Sequence, residues 1–276
     1  MKLLIILIIA GILLHFYFKL FKIPKLNNLV LTSGGVKTGK SSLTVYFAWK
    51  KYKAALRWYK ISKFVIGIFS KKKADEIEKP LLYSNIPLKC EYVPLTKEII
   101  LRQQRPRYKS VVFVDEASLL ADSMAWTDDN VNENIRLFFK LIAHETHGGC
   151  AVIDSQQPTD LHFGIKRNIS SYFYIHRIRK LPFFIVLYVR EMLYSDEAGV
   201  QNVFNDDIEF GMRRIIMSKR IWKMFDCFAF SGLTDALPVA DQVVDGRKLK
   251  DLKVRGEYLT FRVPRKSKEE KKNVKG

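Results

Sequence analysis

Hydrophobic and polar positions divide this chain into segments with different periods. Leu3 to Phe18 (LLIILIIAGILLHFYF) is an almost unbroken apolar run. Asn28 to Thr32 (NLVLT) is short and apolar, as in a strand buried on both faces. It leads through glycines into a helical segment that begins at Ser42 (SLTVYFAWKKYKAALRWYK). Ser110 to Ser118 (SVVFVDEAS) repeats the buried-strand pattern and ends in two acids. Asn132 to His147 carries Ile135, Phe138, Phe139 and Ile142 at i, i+3, i+4, i+7 spacing, and Gly148-Gly149 then stops the helix. Cys150 to Asp154 (CAVID), Tyr172 to His176 and Phe183 to Val189 read as further strands. Strands alternating with helices predict a doubly wound α/β domain with a mainly parallel sheet. Phe64 to Phe69 (FVIGIF), set among lysines, reads either as an amphipathic membrane-surface helix or as a hairpin on the sheet.

The N-terminal run is the length of a membrane span. As a helix, Leu3 to Phe21 reaches about 28 Å, enough for a hydrocarbon core if Lys19 snorkels. Lys2 precedes it, and Lys19, Lys22 and Lys25 follow, which places the following chain in the cytoplasm. No A-x-A-like cleavage site follows, so it reads as an uncleaved anchor rather than a signal peptide. The expected organisation is an anchor with its basic flank over 1–25, an α/β domain over 26–244 and a basic, partly disordered tail over 245–276. A late strand is expected at Tyr258 to Val263.

Charge narrows the partners. The 276 residues carry a net charge of +19, which favours nucleic acid or an anionic membrane leaflet. Lys50 to Lys73 holds nine basic residues and no acid, and Arg247 to Gly276 twelve basic against four acidic. Three cysteines (Cys90, Cys150, Cys227) without C-x-x-C spacing argue against a disulfide framework or a zinc site. His144 and His147 share a helix but lack a third ligand.

The segment between the first strand and helix reads Gly34-Gly35-Val36-Lys37-Thr38-Gly39-Lys40-Ser41, which fits G-x-x-x-x-G-K-[ST]. A loop there turns backbone N–H groups toward phosphate oxygens at a helix N-terminus. Residues Gly34 to Ser42 are therefore the expected ATP-binding set, with Lys40 on the β- and γ-phosphates and the Ser41 hydroxyl on Mg²⁺. About 75 residues downstream, the acidic pair at the end of the VVFV strand completes the scheme: Asp115 for the Mg²⁺ shell and Glu116 to polarise the attacking water. Gln156, past the CAVID strand, suits a γ-phosphate sensor; a simple turn before Pro158 explains it equally well.

Together, GGVKTGKSS, YSNIPL (Tyr83 to Leu88), VVFVDEAS, HETHGGCAVIDSQQPTDL (His144 to Leu161) and SKRIWKMFD (Ser218 to Asp226) resemble the zonula occludens toxin (Zot-like) family, which includes the assembly ATPases of filamentous phages. The resemblance runs from about Leu29 to Phe228. It implies a P-loop fold, Gln156 as the sensor glutamine of S-Q-x-P, and a homo-oligomeric ring at the host inner or plasma membrane. The implied partners are phage single-stranded DNA and coat or assembly proteins. Gram-negative phage members carry their span after the ATPase domain, whereas here the apolar run comes first; a host with one membrane is the expectation. Arg136 and Arg167 are candidates for an arginine finger. The expected function is thus a membrane-anchored Mg-ATP motor for virion extrusion. The alternatives are a double-stranded DNA packaging or conjugation ATPase, a non-catalytic nucleotide-binding scaffold, and a membrane-active toxin.

Overall fold

The computed structural model describes residues 23–35, 38–118, 129–156, 161, 163–192, 212–225 and 244–245. The expected anchor, the tail and the late strand at Tyr258 to Val263 lie outside them. Among the described residues, no helix is long and apolar enough to cross a membrane.

The first strand, β1 (Leu29–Gly34), is buried along its whole length and feeds the long helix α1 (Lys40–Phe69). A short helix α2 (Lys71–Asp75) follows, then β2 (Leu82–Ser84), β3 (Glu91–Pro94), α3 (Lys97–Ile100) and β4 (Val111–Val114). Next come α4 (Asp129–Lys140), α5 (Ile142–Glu145), β5 (Cys150–Ser155), α6 (Phe163–Lys166), β6 (Ser171–Lys180) and β7 (Phe184–Met192). The described chain closes with β8 (Arg213–Ser218), α7 (Lys219–Trp222) and β9 (Val244–Asp245).

These strands form one nine-stranded sheet in the order β8-β7-β6-β1-β5-β4-β2-β3-β9. From β6 to β3 every pairing is parallel, while β7, β8 and β9 join antiparallel. For β7 the antiparallel pairing follows from chain length. Leu181-Pro182-Phe183 separates β6 from β7, enough for a hairpin and far too little for a crossover.

Alternating strand residues feed two separate cores, as a doubly wound sheet requires. Val30, Phe113, Val152 and Phe173 pack with Leu43, Phe47 and Tyr52 of α1 on one face. Leu29, Leu31, Val112, Val114 and Ile153 pack with Ile99, Phe138, Phe139 and Ile142 on the other. Each large apolar side chain so buried contributes about 1.5–3 kcal/mol, which is why these strands read as continuous apolar runs.

Several details depart from the sequence pattern. The helix expected over 132–147 is two, α4 and α5, broken at Leu141, whose φ of −101° and ψ of 14° leave the helical region. The helix ends at Glu145, before Gly148: His147 already takes a left-handed φ of 49°, and the Gly148 N–H closes the turn on the Ala143 carbonyl at 2.6 Å. Gly149 is required for space, since a Cβ there would lie 1.9 Å from the carbonyl oxygen of Ser110. Phe64 to Phe69 is no hairpin; it is the last part of α1.

Candidate functional site: a phosphate loop facing two acidic strand ends

The chain winds out from β1 to β2 and β3, returns through β4 and β5 beside β1, and leaves on the other side through β6. Open α/β sheets bind ligands outside the carboxyl ends of their strands at such a reversal. The expected residues gather there, from β1, β4, β5 and the N-terminus of α1.

Gly39 is the N-cap of α1 with φ of 90°, in the left-handed region that glycine enters without penalty. A Cβ at Gly39 would meet Ile178 at 3.1 Å and Leu187 and Trp222 at 3.5 Å. Strands β6 and β7 and helix α7 therefore buttress the loop from behind. A Cβ at Gly34 would meet the Thr38 hydroxyl at 2.7 Å and the Ile175 carbonyl at 3.1 Å. The Thr38 hydroxyl instead donates to the Gly35 carbonyl at 2.7 Å, and the Thr38 N–H reaches the same oxygen at 3.3 Å. Val36 and Lys37 lie outside the described residues. Ser42 is buried on the core side of α1, whereas Ser41 is half-exposed at its start.

The three expected catalytic side chains meet at one atom. Glu116 Oε1 accepts from the Lys40 ammonium and, at 3.5 Å, from the Gln156 side-chain amide. The backbone makes this possible: Glu116 has φ of 50°. A left-handed non-glycine residue costs about 1–2 kcal/mol, and such strain gathers where a side chain must be aimed.

Two residues outside the expected set hold that conformation. The Asn85 side-chain amide straddles Asp115, accepting from its N–H and donating to its carbonyl, each at 2.8 Å. Asp154 Oδ1 accepts the Glu116 N–H at 2.5 Å. Asp154 also binds the Thr44 hydroxyl at 3.5 Å, and Thr44 in turn donates to the Lys40 carbonyl at 2.8 Å. The acidic strand end is thus tied to the first turn of α1. Asp154 could have been singled out from sequence as a charge ending an otherwise apolar strand. Asn85 carried no such signal beyond its place in YSNIPL.

Asp115 and Asp154 form a buried carboxyl pair. Burial raises the pKa of Asp115 above the usual carboxylate range, against the pull of hydrogen bonds from Asp154 and Ser41. Burial, then the charge of Asp115, lifts Asp154 well above it, against the pull of Lys40 and the Glu116 N–H. Desolvation and mutual repulsion both act against two adjacent charges, so each carboxyl is pushed toward its protonated form. One oxygen of Asp115, Oδ1, is buried with no hydrogen-bond partner among the described residues. An orphaned carboxylate oxygen on a group that also binds the Ser41 hydroxyl fits the oxygen donor set of Mg²⁺.

The remaining sequence candidates fall elsewhere. Arg136 is paired with Glu133 one turn away on α4. Arg167 follows α6 and is exposed. Glu145 of the HETH segment is buried and takes the Arg102 guanidinium at 2.9 Å, a structural ion pair. The described residues contain no cluster of three or more metal-ligating side chains. The SKRIWKMFD segment is structural: Met224 accepts from the Lys89 N–H at 2.6 Å, Phe225 bridges to Leu88, and Trp222 backs Gly39.

No family model matches the chain, and neither does any curated protein. Among solved structures, the N-terminal domain of zonular occludens toxin from Neisseria meningitidis aligns at 12% identity and a TM-score of 0.37, covering 73% of this chain and all of that one. A KaiC-like protein from Pyrococcus horikoshii OT3 aligns at 10% identity and a TM-score of 0.35, over 69% of this chain and 88% of that one. The genome packaging NTPase B204 of Sulfolobus turreted icosahedral virus 2, in complex with ATP-gammaS, aligns at 12% identity and a TM-score of 0.29, over 61% and 98%. The phosphate loop, the acidic strand end and the sheet order seen in this chain make it a P-loop nucleotide-binding fold on their own geometry.

Proposed function

We propose that this chain is a P-loop ATPase, and that it is the membrane-anchored motor that extrudes single-stranded DNA during assembly of a filamentous phage. The observation that carries the first part is the meeting of Lys40 and Gln156 at the Glu116 carboxylate. A scaffold that binds nucleotide only to assemble has no use for an acid held there on a strained backbone.

Lys40, at the N-terminus of α1, supplies positive charge where the β- and γ-phosphates bind. Glu116 is then freed from Lys40 to accept a proton from the attacking water, and Gln156 orients that water. Ser41 and Asp115 would hold Mg²⁺, which would supply positive charge to the phosphates. Asp154 and Asn85 act through the Asp115-Glu116 backbone that they hold.

The motor reading is supported by the Zot-like motifs, the apolar run at residues 3–21 and the net charge of +19. Homo-oligomerisation, the coat proteins and a location at the host membrane belong to the same proposal. The test is ATP hydrolysis by the full chain in liposomes, with single- or double-stranded DNA, beside Lys40→Ala. Hydrolysis raised by single strands and lost in the variant is the expected result. Stimulation by duplex alone would point to packaging or conjugation, and binding without turnover would leave the scaffold.

A further inference from the structure

Helix α1 is much longer than the strand it covers. Its 30 residues span about 45 Å, against about 20 Å for the six residues of β1. It starts at the carboxyl end of β1 and runs back along it. The Lys51 ammonium donates to the Leu26 carbonyl at 2.6 Å, so the helix draws level there with the chain entering β1. The remaining 18 residues, 52–69, carry α1 about 27 Å beyond that level.

One side of this extension is covered. Tyr52 and Leu56 pack on the core. Helix α2 folds back beyond them, with Lys63 bound to Asp75 at 3.2 Å and Ala74 Cβ 3.7 Å from where a Gly67 Cβ would lie. Among the described residues nothing covers the opposite side, which is apolar: Trp58, Ile61, Phe64, Val65, Ile68 and Phe69 are exposed, Phe64 by 72% and Phe69 by 84%. At 3.6 residues per turn these six positions fall within an arc of about 140°. Arg57 sits in that arc, and Lys53 and Lys60 line one border. Single exposed apolar residues are ordinary, but a continuous stripe of large ones marks an interaction surface.

We propose that the second half of α1 is a membrane-docking arm that lies in the surface of an anionic bilayer. An apolar face carrying tryptophan and phenylalanine, bordered by lysine and arginine, is the pattern of an interfacial helix. Lys50 to Lys73 contains nine basic residues and no acid, which suits anionic headgroups and disfavours a second copy of the same stripe. This contact is separate from residues 3–21 and independent of whether the site hydrolyses ATP.

The test uses the full chain reconstituted in vesicles of phosphatidylcholine and phosphatidylglycerol. The emission of Trp58 is isolated as the difference between the protein and Trp58→Phe. The expected result is at least twofold quenching by lipid brominated near the headgroup, shielding from aqueous iodide, and loss of both in Phe64→Asp/Ile68→Asp. Replacing phosphatidylglycerol by phosphatidylcholine is expected to weaken the quenching. Trp58 open to iodide and untouched by brominated lipid would overturn the proposal. So would Trp58 shielded from both, the signature of an arm buried against another protein, and so would quenching indifferent to lipid charge.

Discussion

Asn85→Ala tests whether the Asp115-Glu116 backbone is held for catalysis. The substitution removes two hydrogen bonds, both at 2.8 Å, and leaves the N–H and carbonyl of Asp115 to find other partners. At about 1 kcal/mol net for each bond, the clamp supplies about 2 kcal/mol. That is the same size as the roughly 1–2 kcal/mol cost of holding Glu116 left-handed. Without the clamp the conformation at φ of 50° loses its margin, and the carboxylate is no longer fixed opposite Lys40. A misplacement near 1 Å costs on the order of 100-fold in rate. The expected outcome is a kcat lowered by roughly 30- to 100-fold on that basis. Unfolding free energy should fall by about 1–3 kcal/mol, and nucleotide affinity should persist because the phosphate loop is untouched. Turnover, fluorescent-nucleotide binding and urea unfolding report the three quantities. Asn85→Asp, which keeps the acceptor for the Asp115 N–H and loses the donor, should fall between. A fully active Asn85→Ala would show that the clamp is ornamental and the reasoning wrong.

Three further outcomes follow from the same geometry. Asp154→Asn keeps an acceptor for the Glu116 N–H and removes the second carboxyl of a buried pair. A carboxyl whose folded pKa is raised binds more protons folded than unfolded, so stability falls as pH rises from its ordinary value of 3.8 toward the raised one. The variant should therefore be more stable than the parent at neutral pH, with the gap closing toward roughly pH 4, in metal-free denaturation curves. Gly149→Ala places a Cβ 1.9 Å from the Ser110 carbonyl at the entry to β4, and is expected to cost about 3 kcal/mol or more in urea unfolding. Gly148→Ala, with nothing within 4 Å of its Cβ but a φ of 90°, should cost only about 1–2 kcal/mol in the same assay.

Local rules made the centre of the molecule legible. The phosphate loop needs glycines at fixed offsets, and β1, β4 and β5 are continuous apolar runs because both faces are covered. Those rules single out Lys40 and Glu116, the family resemblance singles out Gln156, and the three side chains lie together. Other features depend on contacts remote in sequence. Strands β2 and β3 have three and four residues, too short to show a period, and β8 hides in a basic stretch. Asn85 and Asp154 act on a backbone 30 and 38 residues away, which no local pattern encodes. The end of α1 was ambiguous because its apolar residues face outward, contrary to the usual meaning of an apolar stripe. Trp222 reads as one more aromatic until it is seen behind Gly39.

The central claim is that Glu116 is the residue that activates water at an ATP site, not only the partner of Lys40. The most direct measurement is ATP turnover by the full chain carrying Glu116→Gln, with nucleotide binding measured on the same preparation. The account predicts retained binding with turnover lowered by about 100- to 10,000-fold, the range for losing a general base. Turnover equal to that of the parent chain would contradict it.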